Sequence, residues 1–436
     1  MVSRRLLPAV AIAAALSLVS FAAEAGPSPE EVQRTWTRMV LSLTRHTPTY
    51  SPPVASRTFA YLGIAAYEAV AAGNDDMVSL AGQLPDLAPA PAREAGAAYD
   101  EAVVLEAAMS AVVTEMFANT GPSGQRALAA QQQKLDAATA EGVTADVVAR
   151  SRAFGIAIAT HIIDWSRDDG GREIVNMGFP LEYDLVEGPG YWVPTNTIVQ
   201  QQTPLLPDWG RNRPFALPAT ADCPVPATYP YSEEPDSAFY KDAREVYDTK
   251  NALTPEQAAI ARFWSDDPML SWTPPGHWFS ILLQILERDS VPLETSVDVM
   301  MRLALAEADA FIGCWDTKFE YNLIRPLTYI RRVIDPGWDT LINTPPFPEY
   351  TSGHSVASAA AAVVLTAAFG EGFGFDDTTG EADGLPPRSY AGFWDAANEA
   401  GISRLYGGIH FRAAIDNGLA QGRCIGQYAV DIRTRK

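Results

Sequence analysis

Apolar positions recur with a helical period along most of the chain, and stretches alternating strictly between apolar and polar residues are scarce. Ala-rich amphipathic stretches fall at about 28–45, 54–72, 96–118, 123–140 and 144–167. The pattern then breaks. From Asp168 to Tyr231 the chain is rich in Gly, Pro and Asn, with Gly188-Pro189-Gly190 and a proline-laden run from Pro204 to Pro218. The aromatics Tyr191, Trp192 and Trp209 in this passage predict an ordered loop packed on the core rather than a free linker. Helical periodicity resumes at about 236–249 and 254–265, then continues at 276–288, 293–318, 353–369, 388–405 and from His410 onward. The expected fold is all-α, a helical bundle with an N-terminal helical region over 26–250 and a C-terminal one over 251–436. Whether these are two domains or one merged core is left open.

Composition narrows the function classes. A hydrophobic content of 47% with 19% charged residues describes a folded chain, and the 436 residues can bury one large core or two adjoining ones. The net charge of −21 argues against nucleic acid as a partner, because phosphate binding needs a basic face. At the N-terminus, Arg4 and Arg5 precede a nearly continuous apolar run from Leu6 to Ala22. Ala23-Glu24-Ala25 follows with small residues suited to cleavage, so 1–25 reads as a signal peptide and the mature chain as periplasmic or secreted. No later run reaches the ~18 apolar residues of a membrane span, and no integral membrane association is expected. Val356 to Phe369 is interrupted by Ser358 and Thr366 and reads as a buried helix. Cys223, Cys314 and Cys424 have no metal-like spacing; one disulfide is allowed, its partners undefined, and Cys314 reads as a small core residue. The acidic loop of Asp376, Asp377, Glu381 and Asp383 lacks calcium-loop spacing and reads as solvated.

Against this acidic background, the last third of the chain gathers oxyanion-binding groups. Lys318 and Arg325 are seven residues apart and would project from nearly one helix face, about two turns apart. Pro326 should end or kink that helix and fix where the guanidinium points. Pro345 to His354 is a stiff segment entering a helix, with Ser352 as N-cap and Gly353 allowing close backbone approach. A helix N-terminus is itself an anion site. Arg404 and His410, six residues apart, cannot share a regular helix face, and Gly407-Gly408 supplies the break that lets them converge. Each feature alone has an ordinary explanation: exposed cations, a capping serine, a core histidine between Ile409 and Phe411. Together, the three cations, a hydroxyl, a glycine N–H and two imidazoles suit a tetrahedral or trigonal-bipyramidal oxyanion.

Residue order and spacing carry a resemblance. Lys318…Arg325-Pro326, Ser352-Gly353-His354 and Ser403-Arg404…His410 resemble the signature of vanadium-dependent haloperoxidases, a superfamily shared with type 2 phosphatidic acid phosphatases and bacterial acid phosphatases. The match runs from Lys318 to Asp416, with two departures. Thr351 stands where the pattern has Pro, and Asp416 follows His410 later than the Asp that orients the nucleophilic His in phosphatases. Upstream, Phe263-Trp264-Ser265-Asp266-Asp267 and Thr273 to Trp278 look like a second segment of the bacterial haloperoxidase branch.

The resemblance implies a C-terminal haloperoxidase-like helical core that holds vanadate. His410 would be the ligand to vanadium, with Lys318, Arg325, Ser352, Gly353 and Arg404 around the oxygens and His354 as acid–base group for hydrogen peroxide. It also implies that Asp267 pairs with Arg404, Asp266 being nearly as good a partner, and that His277 is open between structural and site roles. Phe347 occupies the place where chloroperoxidases carry Phe and bromoperoxidases often His, a weak tilt away from bromide that core packing explains equally well. The implied activity is oxidation of halide, or of a small organic substrate, by hydrogen peroxide; a homo-oligomer is compatible with it. A phosphatase would use the same atoms, with His410 attacking phosphorus to give a phosphohistidine and His354 protonating the leaving alcohol. A periplasmic oxyanion-binding protein ranks last, since it leaves both histidines without work.

Overall fold

Most helices begin where the sequence offers a cap or a proline. Ser28 and Glu31 form a capping box at the start of α1 (Pro29–His46), and Thr254 and Gln257 form another at α8 (Pro255–Phe263). The structure, a computed structural model, describes residues 26–174 and 178–436; the expected signal peptide, 1–25, lies outside the described residues. The N-terminal region continues as α2 (Pro52–Ala71), α3 (Glu101–Met116), α4 (Pro122–Ala140), α5 (Ala145–Trp165) and the short α6 (Gly171–Ile174). After the loop come α7 (Ala238–Asn251), α9 (Thr273–Arg288), α10 (Leu293–Tyr321), α11 (Pro326–Val333), α12 (Gly353–Phe369), α13 (Phe393–Gly407) and α14 (Arg412–Asp431). Among the described residues no helix is long and apolar enough to cross a membrane.

The 29-residue α10 is the axis of the bundle, packed by α2 from the N-terminal region and by α12 and α14. It is buried nearly all round, as a helix without a solvent face must be. One buried cluster extends from Val32 to Ala429 and so runs through both regions. A second gathers Phe239, Tyr329, Trp338, Tyr350 and Phe411. Contact between α12 and α14 is set by a glycine stripe on α14. A Cβ at Gly422 would lie 2.0 Å from the Val356 carbonyl oxygen, and one at Gly426 2.8 Å from that of Ala360. Gly418 sits equally close to Ser355, next to Ser352. This approach fixes the α12 N-terminus relative to the start of α14.

The Gly/Pro-rich passage packs as an ordered loop with short 3₁₀ turns, and Trp192 and Trp209 are buried. The Asp309 carboxylate accepts the N–H groups of Phe215, Ala216 and Leu217 at 2.7–2.8 Å. Cys223 is disulfide-bonded to Cys424 of α14, and Cys314 is free and buried.

Two local expectations fail for identifiable reasons. Lys318 and Arg325 do not share a helix: α10 ends at Tyr321, Asn322 takes a left-handed conformation (φ 48°), and Arg325 is the extended N-cap of α11 ahead of Pro326. Nor is 388–405 helical throughout. Arg388–Tyr390 forms β2, antiparallel to β1 (Phe375–Asp377), and α13 starts only after Gly392. Tyr390 and Phe393 both pack on Phe375, which draws the expected acidic loop onto the core. Asp377 is consequently fully buried rather than solvated.

Candidate active site

Four segments converge on His410: the end of α10, the start of α11, the 347–354 segment entering α12, and the α13–α14 link. Gly408 caps α13 in a left-handed conformation (φ 81°), so the chain reverses after Arg404 and brings His410 back beside it. His410 Nδ1 donates to Glu349 Oε1 at 2.8 Å, and its Nε2 accepts from Arg325 Nη1 at 3.1 Å. That arrangement fixes a neutral imidazole with its lone pair on Nε2. Burial, together with the charges of Arg325, Lys318 and Arg404, holds the ring well below its ordinary pKa.

Glu349 is the residue that motif reading missed. Fully buried, it also accepts the Phe411 N–H at 2.9 Å. Burial pushes its carboxyl up to about 8 against the pull of Arg325 and Lys318. The phosphatase pattern places an orienting carboxylate soon after the histidine, which this chain lacks; here it comes from 61 residues before His410. The only available signal was a lone acidic residue inside the Pro345–His354 segment.

The cations divide into two kinds. Lys318 spends all three N–H donors on the backbone carbonyls of Pro348 (3.1 Å), Glu349 (2.9 Å) and Thr351. It acts on the site through its charge and by holding this segment, and has no N–H left to offer an oxyanion. Arg325 donates Nε to the Phe347 carbonyl at 2.8 Å and Nη1 to that of Ile409 at 3.0 Å, while its buried Nη2 has no partner among the described residues. Arg404 donates Nη1 to the Trp264 carbonyl and leaves its buried Nε without a partner among the described residues. Burial lowers Lys318 to about 8 and both arginines to about 10.

Ser352 caps α12, its Oγ accepting from Ser355 N at 3.3 Å and Ser355 Oγ at 2.9 Å, so its own proton is uncommitted. Gly353 provides a first-turn N–H with no intrahelical acceptor. A Cβ there would make ordinary van der Waals contact with the Phe311 ring, at 3.9 Å. Thr351, the departure from the motif, donates its hydroxyl to Gln421 of α14 at 2.8 Å, and Gln421 in turn donates to Thr317 at 2.9 Å. A proline could not make this tie. The Phe347 ring lies 5.2 Å from Lys318 Nζ and 5.0 Å from the Arg325 guanidinium carbon, a cation–π lid that also packs on Trp315.

A family model described as the VCPO second helical-bundle domain matches residues 298–436. The fold superposes on the crystal structure of the first bacterial vanadium-dependent iodoperoxidase with a TM-score of 0.85 and 38% identity, covering 93% of this chain and 97% of that one. The chain belongs to the vanadium-dependent haloperoxidase family. Holo- and apo-type bacterial vanadium-dependent chloroperoxidases share the fold at 16% identity: TM-scores are 0.69 and 0.67, with 90% and 88% of this chain and 93% and 94% of those chains covered. No curated protein sequence matches significantly.

In this haloperoxidase the expected pairing of Asp267 with Arg404 is not formed. Asp267 accepts from Asn343 Nδ2 at 3.3 Å, and Arg404 acts on it only through the field. The buried neighbour is Asp266, turned inward by a left-handed backbone (φ 49°). Its Oδ2 lies 3.5 Å from His354 Nε2. Burial and the Arg404 charge lower His354 to about 4, so the ring is neutral at physiological pH.

Proposed function

We propose that this chain is a vanadium-dependent haloperoxidase that oxidises halide, iodide foremost, with hydrogen peroxide. The carrying observation is His410, a buried neutral imidazole held by Glu349, whose Nε2 lone pair meets Arg325 Nη1 in a pocket where Arg325 Nη2 and Arg404 Nε make no hydrogen bond among the described residues.

Vanadate fits this donor set. Nε2 of His410 would hold the metal, while Arg325 Nη2, Arg404 Nε, the Ser352 hydroxyl and the Gly353 N–H would meet its oxygens, with Lys318 adding charge. When bound, the group supplies a Lewis-acidic centre that activates peroxide toward halide. His354, neutral and beside this cradle, takes and returns the peroxide proton. Iodide is favoured by the 38%-identical relative, an iodoperoxidase, and Phe347 offers no polar group toward the site. Small organic substrates fall within the same chemistry.

The chain works outside the cytoplasm. The 1–25 signal segment supports this, and the Cys223–Cys424 disulfide suits an oxidising compartment. Because Glu349 fills the place of the late Asp416, that departure no longer separates peroxidase from phosphatase, and the test must do so.

One purified preparation is divided. Half receives orthovanadate and hydrogen peroxide with iodide, bromide or chloride; half, kept free of vanadate, receives a chromogenic phosphate ester. Vanadate-dependent halide oxidation, fastest with iodide and abolished by His410→Ala, is expected. Ester hydrolysis inhibited by vanadate, without halide turnover, would reassign the site to a phosphatase.

A further inference from the structure

Behind His354 lies a row of buried side chains to which the proposed chemistry gives no role. His277 on α9 stands between two carboxylates. Its Nδ1 is 2.9 and 3.1 Å from the two oxygens of Asp266, and its Nε2 is 2.8 Å from Asp377 Oδ2 on β1. Both ring nitrogens face acceptors, so both must carry protons, and His277 is an imidazolium. Trp264 stacks on the ring at 4.3 Å and Phe263 meets it edge-on at 5.4 Å, which shuts out water. The Thr379 N–H holds the outer oxygen of Asp377 at 2.9 Å. His277 and Asp377 are at most 2% exposed, and Asp266 6%.

The charges facing this row are Asp266 and Asp377 on either side of His277, Arg404 against Asp266, Asp267 acting on both Arg404 and Asp266, and the neutral Tyr390 phenol beside Asp377. His354 Nε2 is buried and makes no hydrogen bond among the described residues, Asp266 Oδ2 approaching it at 3.5 Å; Nδ1 is the nitrogen left on the other side of the ring.

We propose that His277, backed by Asp377, is a positioning residue for His354. It holds Asp266 as a carboxylate facing His354 Nε2, so the ring keeps its proton there and presents the Nδ1 lone pair to peroxide. The proton then passes from a peroxide oxygen to Nδ1, leaving hydroperoxide anion and an imidazolium paired with Asp266, and would be returned to the hydroxide that peroxide displaces, which departs as water. This assignment rests on the haloperoxidase chemistry proposed above. It adds two residues, far apart in sequence, that touch neither cofactor nor substrate. A purely structural cross-link between α9 and β1 would leave the tautomer of His354 indifferent to both.

The test uses vanadate-free protein labelled with ¹⁵N-histidine, whose five histidines allow assignment by substitution. At pH 7.5 the expected spectrum shows both His277 nitrogens protonated and His354 as the Nε2–H tautomer. In His277→Gln, His354 should become a mixture of tautomers, and vanadate-loaded kcat should fall about 10–100-fold with vanadate affinity retained. Asp377→Asn, which preserves shape, should shift both readouts the same way and decides the matter if His277→Gln does not fold. An unprotonated His277 nitrogen in the wild type, or an unchanged His354 tautomer in the folded variants, would overturn the proposal. Halide oxidation missing from the wild type, with the ¹⁵N pattern as expected, would instead remove the peroxidase function and leave the positioning intact.

Discussion

At the scale of single residues, Glu349 explains most. A metal-binding imidazole needs a partner on its far nitrogen, and here that partner is buried between Arg325 and Lys318. Glu349→Gln keeps the shape and the oxygen that accepts both N–H groups, but it can never become the carboxylate that answers the charges of Arg325 and Lys318. Vanadate affinity, titrated directly, should fall about 10–100-fold with little change in folding. Affinity equal to wild type would make Glu349 a packing residue only. Of the residues singled out by motif, Arg325, Ser352, Gly353, His354, Arg404 and His410 meet in the structure. Lys318 meets them with its donors already spent, and Asp267 stands aside in favour of Asp266.

At the scale of elements, site geometry depends on how closely α14 lies on α12. Gly422→Ala would push a methyl into the Val356 carbonyl, and overpacking of this kind costs about 1–3 kcal/mol. The melting temperature and the vanadate affinity should drop together, because Ser352 and His410 sit at the linked ends of these helices; unchanged affinity would show that the two ends adjust independently. The disulfide spans 201 residues of sequence and ties the long loop to α14. Cys424→Ser should cost about 2–5 kcal/mol, read from denaturant unfolding under non-reducing conditions. Helical segments are legible because apolar periodicity is local, and so is the Ser352 cap of α12. The division of α10 from α11 and the β1–β2 pair are not, because Asn322 and Tyr390 adopt conformations imposed by their neighbours.

At the scale of the whole molecule, one core joins both helical regions, and its buried charges link stability to pH. Burial alone would lower His277, but Asp266 and Asp377 outweigh it and raise it to about 10. A raised pKa of this kind stabilises the fold fully below about 6.5, the unfolded value, and the contribution is lost as pH rises through 10. The melting temperature should therefore decline between pH 7 and 10, with a shallower decline in His277→Gln. A parallel slope in the two proteins would place the alkaline transition elsewhere.

The sequence by itself determined the helical class, the ordered loop, the Ser352 cap and the list of oxyanion-binding groups. Those depend on local periodicity, on capping chemistry and on residue types at fixed spacing. Tertiary structure alone decided that Lys318 faces backbone carbonyls, that Glu349 holds His410 and that His277 joins Asp266 to Asp377. Each of these contacts joins segments 11 to 100 residues apart, and the choice between neighbouring carboxylates turns on which one the backbone buries. Charge placement of that kind follows from burial and long-range packing, which no short motif encodes.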